Sequence, residues 1–173
     1  MTEKYFDTSS GIKLAYRLIQ PEHAQGKLPL LLISGWSAVM SDWHGFADEL
    51  ANRGRVVLIF DNRGVGKSSQ AEGDYTIQQL ADDALELAFN FLLPISPKGF
   101  HVMGISMGGM ITQTLLQSQS YDTSLIRSVV LGCTAGGGSL YVPMKTNLFN
   151  PPAPTMTREE KTKQTLITWF FAC

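Results

Sequence analysis

The sequence predicts an α/β protein on a doubly wound, mostly parallel sheet, and three observations carry that prediction. Apolar runs such as LPLLLI (28–33) and RVVLIF (55–60) are continuous rather than alternating, as in strands covered on both faces. Stretches of helical periodicity follow these runs, bounded by Gly, Pro and capping residues. The two signals alternate up to residue 133, which is the pattern of βα units joined by right-handed crossovers.

Taken in order, KYFDTS (4–9) and IKLAYRLI (12–19) read as strands around an SG turn, and QPEHAQGKLP (20–29) reads as a hairpin leading into a third strand, LPLLLISG. In SDWHGFADELANRG (41–54), Trp43, Phe46 and Leu50 share a helical face; Ser41 or Asp42 can cap its start and Gly54 its end. RVVLIFD is the fourth strand. After the loop NRGVGKSSQAEGDY comes a long helix from Thr76, with Ile77, Leu80, Ala84, Leu87, Ala88 and Phe91 on one side and Pro94 as its stop. GFHVMGIS is the fifth strand. MGGMITQTLLQSQ is a helix with Met110, Ile111, Thr114 and Leu115 inward, and IRSVVLGC is the sixth strand. From Ala135 the composition changes: AGGGS and NPPAPTM mark a linker over 135–156. TREEKTKQTLITWFFAC (157–173) reads as the N-capped start of a helical cap that breaks off within its pattern, so the expected domains are 1–134 (sheet domain), 135–156 (linker) and 157–173 (cap).

Composition limits the function. With 44% hydrophobic and 17% charged residues the chain is globular rather than disordered. Fourteen Lys plus Arg against 15 Asp plus Glu, without long runs of one sign, argue against a nucleic-acid partner or an anionic membrane. The apolar runs are too short to span a bilayer, and MTEKYFDTSS lacks a secretory signal, so the expected compartment is the cytoplasm. The 2 cysteines, Cys133 and Cys173, have the spacing of neither a disulfide framework nor a zinc site; no metal and no cofactor is expected.

The chemistry sits in VMGISMGGM (102–110), where Gly104, Ser106 and Gly108 have the spacing Gly-x-Ser-x-Gly. Alone that string is a weak signal. Here it lies where a strand passes into a helix, the context in which Ser becomes a nucleophile on a strained turn and the helix N–H groups favour a developing negative charge. The competing reading is a glycine-rich turn whose serine merely caps the helix.

With this motif the sequence resembles the α/β-hydrolase fold family, in its serine esterase and enol-lactonase-like branch. LLISGWSAVMSDW resembles the loop after the third strand, DNRGVGKSS the Asp-x-Arg-Gly-x-Gly-x-Ser loop after the fourth, VMGISMGGM the nucleophile elbow, and SVVLGCTAGG the sixth strand with the start of a cap linker. The resemblance implies strands 1 to 6 of that fold, Ser106 as nucleophile, and the backbone N–H groups of Met107 and Trp36 as the oxyanion hole. Gly35 lets the loop turn beside the substrate. Ser34 stands where the family commonly has His, which should change how the loop is braced but not abolish a hole made of backbone donors. A small ester, thioester or lactone is the implied substrate.

RGVGKSS also ends like a phosphate-binding loop, but that loop needs glycine where Asp61 stands, so Asp61 and Arg63 are expected to fix the loop by pairing with backbone. A serine also needs a base. All 3 histidines, His23, His44 and His101, precede Ser106, whereas the family order is serine, acid, histidine. His101 opens the strand that Ser106 ends, roughly 16 Å away. His23 belongs to the same far end, and His44 is at the correct edge but has no partner to orient it. The expectation is therefore a chain truncated within the cap, lacking the triad acid and His, nearly inactive alone, and leaving the sixth strand as an exposed apolar edge. The alternative is a non-catalytic protein that binds a small ligand between Trp36 and Ser106.

Overall fold

A computed structural model describes residues 3–23, 26–70 and 73–136. It contains β1 (Lys4–Asp7), β2 (Lys13–Ile19), β3 (Leu30–Ile33), a 3-10 turn (Met40–Trp43), α1 (Phe46–Asn52), β4 (Val57–Phe60), α2 (Ile77–Phe91), β5 (Phe100–Ile105), α3 (Met107–Leu115) and β6 (Ile126–Gly132). The six strands form one sheet in the order β1-β2-β4-β3-β5-β6. β1 and β2 are antiparallel to their neighbours, and β4, β3, β5 and β6 are parallel.

The doubly wound arrangement follows from the period of a strand. Successive side chains face opposite sides of the sheet. Leu31, Ile33, Leu58 and Phe60 join Leu80, Ala84, Leu87, Ile111 and Leu115 in one core, under α2 and α3. Leu32, Val57 and Ile59 face the other way and pack with Trp43, Ala47 and Ala51 around α1. Continuous apolar runs are what such two-sided burial requires.

The hairpin expected at 20–29 does not pair β2 with β3: β2 pairs with β1 and β4, and β3 lies beyond β4. A strand apolar on both faces gains most at the sheet centre, where helices cover both sides. Turn composition alone could not show this.

The helix predicted over 41–54 divides. A 3-10 turn comes first, with Asp42 Oδ2 accepting from Val39 N at 2.9 Å, and Gly45 at φ 81° then restarts the chain as α1. Trp43 is therefore buried while Phe46 is exposed, and the three residues do not share one helical face. Neither Ser41 nor Asp42 caps α1; Gly54, at φ 82°, follows its end as expected. α2 starts as expected, in a capping box between Thr76 and Gln79. In α3, Ile111, Thr112 and Leu115 are buried and Met110 points outward. β6 forms the sheet edge with Val129, Val130 and Leu131 exposed. Apart from Ala135 and Gly136, the linker over 135–156 and the cap start over 157–173 lie outside the described residues. Among the described residues no helix is long and apolar enough to cross a membrane.

Candidate active site

Ser106 stands between β5 and α3 with φ 57° and ψ −121°. That conformation is strained for a residue with a Cβ and persists only where neighbours over-determine it. The neighbours here are backbone. A Cβ on Gly104 would lie 2.1 Å from Gly108 O, and one on Gly108 would lie 2.2 Å from Ile33 O. The two outer positions of Gly-x-Ser-x-Gly thus let β5, α3 and the end of β3 meet without side chains between them. Gly132 O accepts the Ser106 N–H at 2.8 Å.

The Ser106 side chain makes no capping hydrogen bond to α3, which removes the competing view of it as a helix cap. The first N–H groups of a helix lack intrahelical partners. Gly109 and Met110 direct theirs to Ser106 O, at 2.9 and 3.4 Å, which leaves those of Met107 and Gly108 at the start of α3. Opposite lies the loop after β3. A Cβ on Gly35 would be 3.2 Å from Ser106 Cβ and 3.7 Å from Ser106 Oγ, so Gly35 touches the serine. Gly35 is not the residue that makes this loop turn. Ser37 takes the positive φ, 59°, and Ala38 N closes the turn on Gly35 O at 3.4 Å. Trp36, between them, has an exposed indole.

Ser34 has a job the sequence did not show: its Oγ accepts from Trp43 Nε1 at 2.8 Å, so a buried indole braces the loop. Asp61 braces it from the other side, accepting from Met40 N at 2.6 Å and Lys67 N at 2.8 Å, as backbone pairing predicts. Arg63 does otherwise. Its Nε and Nη2 each donate to a carboxylate oxygen of Asp83 at 2.6 Å, both side chains being buried. Burial holds the Asp83 carboxyl above the usual carboxylate range despite the pull of Arg63, while the hydrogen bond to Asp83 raises the Arg63 pKa. The pair lines a cavity of about 280 Å³ with Ser9, Gln79 and Tyr121, which shares no residue with the Ser106 turn.

The three histidines of the sequence are engaged or placed elsewhere. His44 Nε2 lies 2.8 Å from Arg17 Nη1, and since guanidinium can only donate, the lone pair of that nitrogen is taken. His23 follows β2, whose last residue, Ile19, pairs with Val57 at the start of β4, so it sits at the opposite end of the sheet. His101 pairs with Leu30 at the start of β3, also at that end, with Nδ1 2.7 Å from Ser128 Oγ. Burial, then the charge of Arg55, lowers the His101 pKa. The unfolded chain therefore takes up a proton here first as pH falls, and the stability carried by the neutral ring is present above about pH 6.5 and lost below it, as pH falls toward the lowered pKa of the folded state. His101→Gln is expected to flatten the fall in Tm below about pH 6.5. An unchanged slope would refute this assignment.

A strained serine between a strand and a helix, touched by a glycine loop, has relatives. The family model for the alpha/beta hydrolase fold matches residues 29–162. The chain belongs to the alpha/beta hydrolase fold family. It is 29% identical to a proline iminopeptidase of Clostridioides difficile (strain 630) over 82% of this chain and 46% of that protein. It is 32% identical to a probable lysophospholipase L2 of Haemophilus influenzae over 73% of this chain and 41% of the relative. A crystal structure of a hydrolase from Pseudomonas aeruginosa matches with TM-score 0.64 and 32% identity, covering 77% of this chain and 46% of that one. The chain thus spans about half the length of the curated relatives it matches.

Proposed function

We propose that these residues supply the nucleophile and oxyanion half of a hydrolase acting on a small carboxylic ester, thioester or lactone. The observation that carries this reading is the strained Ser106, free of any capping bond, with Gly35 against its side chain. Ser106 Oγ attacks the acyl carbon and its proton passes to a base; the oxyanion is held by the N–H groups of Met107 and Trp36. The tetrahedral adduct collapses, the leaving alkoxide or thiolate takes up that proton, and the acyl-Ser106 ester forms. Water, deprotonated by the same base, then releases the acid and regenerates the serine. In this reading none of the three histidines is the base, since His23 and His101 lie at the far end of the sheet and His44 is held by Arg17. No metal or cofactor is needed for these steps.

The 173 residues alone are expected to hydrolyse p-nitrophenyl acetate at no more than about 10³ to 10⁴ over water, the residue left by oxyanion donors and binding. A fluorophosphonate should label them slowly and only at Ser106. Turnover of about 1 s⁻¹ or faster by this stretch would overturn the missing base. Labelling that survives Ser106→Ala would overturn the nucleophile.

A further inference from the structure

The end of β6 holds the serine at both ends of its backbone. Gly132 O accepts the Ser106 N–H, and Thr134 Oγ1 donates to Ser106 O at 2.7 Å, across 28 residues of sequence. That is the shortest of the three bonds to this carbonyl; those from Gly109 N and Met110 N are 2.9 and 3.4 Å. Thr134 also packs on the first turn of α3, since a Cβ on Gly109 would fall 2.5 Å from Thr134 Cβ. The carbonyl it holds belongs to the peptide plane that ends in the Met107 N–H. In a planar trans peptide the C=O and the N–H point in opposite directions, so fixing one fixes the other.

We propose that Thr134 is a positioning residue: by holding Ser106 C=O from β6, it aims the Met107 N–H at the place where the oxyanion forms. This rests on the reading of Ser106 as nucleophile and Met107 as oxyanion donor. Neither the spacing of Gly-x-Ser-x-Gly nor any local pattern around it points to Thr134, which reaches the site only through the β5–β6 pairing. Because the donor acts on charge that develops during reaction, a misdirected N–H lowers the rate of acylation rather than ground-state binding.

The test measures labelling of the 173-residue chain by a fluorophosphonate, separating kinact from KI, alongside the amide resonances of Met107 and Gly108. In Thr134→Val, kinact is expected to fall about tenfold, below the loss for deleting a donor outright, with KI within about twofold. The Met107 resonance shifts or splits. Thr134→Ser keeps the hydroxyl and restores both the rate and the resonance. Thr134→Ala removes the hydroxyl without bulk beside Gly109 and, should the valine variant fail to fold, is expected to behave as described for it. An unmoved Met107 resonance in Thr134→Val and Thr134→Ala overturns the proposal, as does a serine variant as impaired as the alanine one. If the parent chain takes no label, the acyl-transfer reading fails, while a Met107 resonance that moves in Thr134→Ala and not in Thr134→Ser still supports the aiming role.

Discussion

Asp83→Ala is expected to cost about 3–5 kcal/mol of stability, a drop in Tm on the order of 10 °C for a chain of this size. The reason is what it leaves behind. Arg63 is buried, and two of its three nitrogens bond the carboxylate at 2.6 Å, with Ser10 Oγ as a further partner of Nη2 at 3.1 Å. Without Asp83 the guanidinium stays in a place that gives it little water. Removing both charges is a different experiment: Arg63→Met with Asp83→Leu should recover most of the loss, because a buried ion pair stabilises little over a well-packed apolar pair. Urea denaturation of the two single variants and the double variant closes the cycle. Independent, additive losses, or a cost below about 1 kcal/mol for Asp83→Ala, would show that the pair does not hold this loop.

The second large effect belongs to Gly108→Ala. The added Cβ would lie 2.2 Å from Ile33 O and 2.8 Å from Ser34 O, and both obstacles are backbone. Either α3 withdraws from the sheet or the end of β3 shifts, and the loop carrying Gly35 and Trp36 moves with it. Overpacking of this kind costs about 1–3 kcal/mol or more. A displacement of about 1 Å between nucleophile and oxyanion loop can also cost about 100-fold in rate. The expected outcome is a lower urea midpoint together with slower fluorophosphonate labelling of Ser106. A variant that keeps the parent midpoint and labelling rate would mean that β3 and α3 are not in contact at this glycine.

Both predictions concern contacts between segments far apart in the chain, and they mark what reading the sequence could reach. The strands at 30–33 and 57–60 were legible because two-sided burial writes itself as unbroken apolar runs. The start of α2 at Thr76 was legible, while that of α1 was not, because Gly45 rather than a capping side chain sets it. Met110 repeats that lesson in α3. Its place in the sequence fits an apolar stripe, yet it is exposed because α3 turns Ile111, Thr112 and Leu115 toward the core. Arg63 was read as a backbone brace; its partner is Asp83, 20 residues on, in a helix whose packing against the sheet brings the two together.

By itself the sequence determined the α/β class, the sheet covered on both faces, and the strand-turn-helix that bears Ser106. Each is a local property, set by side-chain period, by turn residues or by plain order along the chain. Tertiary structure alone decided that β2 pairs with β4 rather than β3, that Ser34 braces Trp43, that Arg17 occupies His44, and that Thr134 holds the Ser106 carbonyl. These depend on where separate elements come to rest against one another. Packing of the sheet fixes that placement, and it leaves no periodic signal in the order of residues.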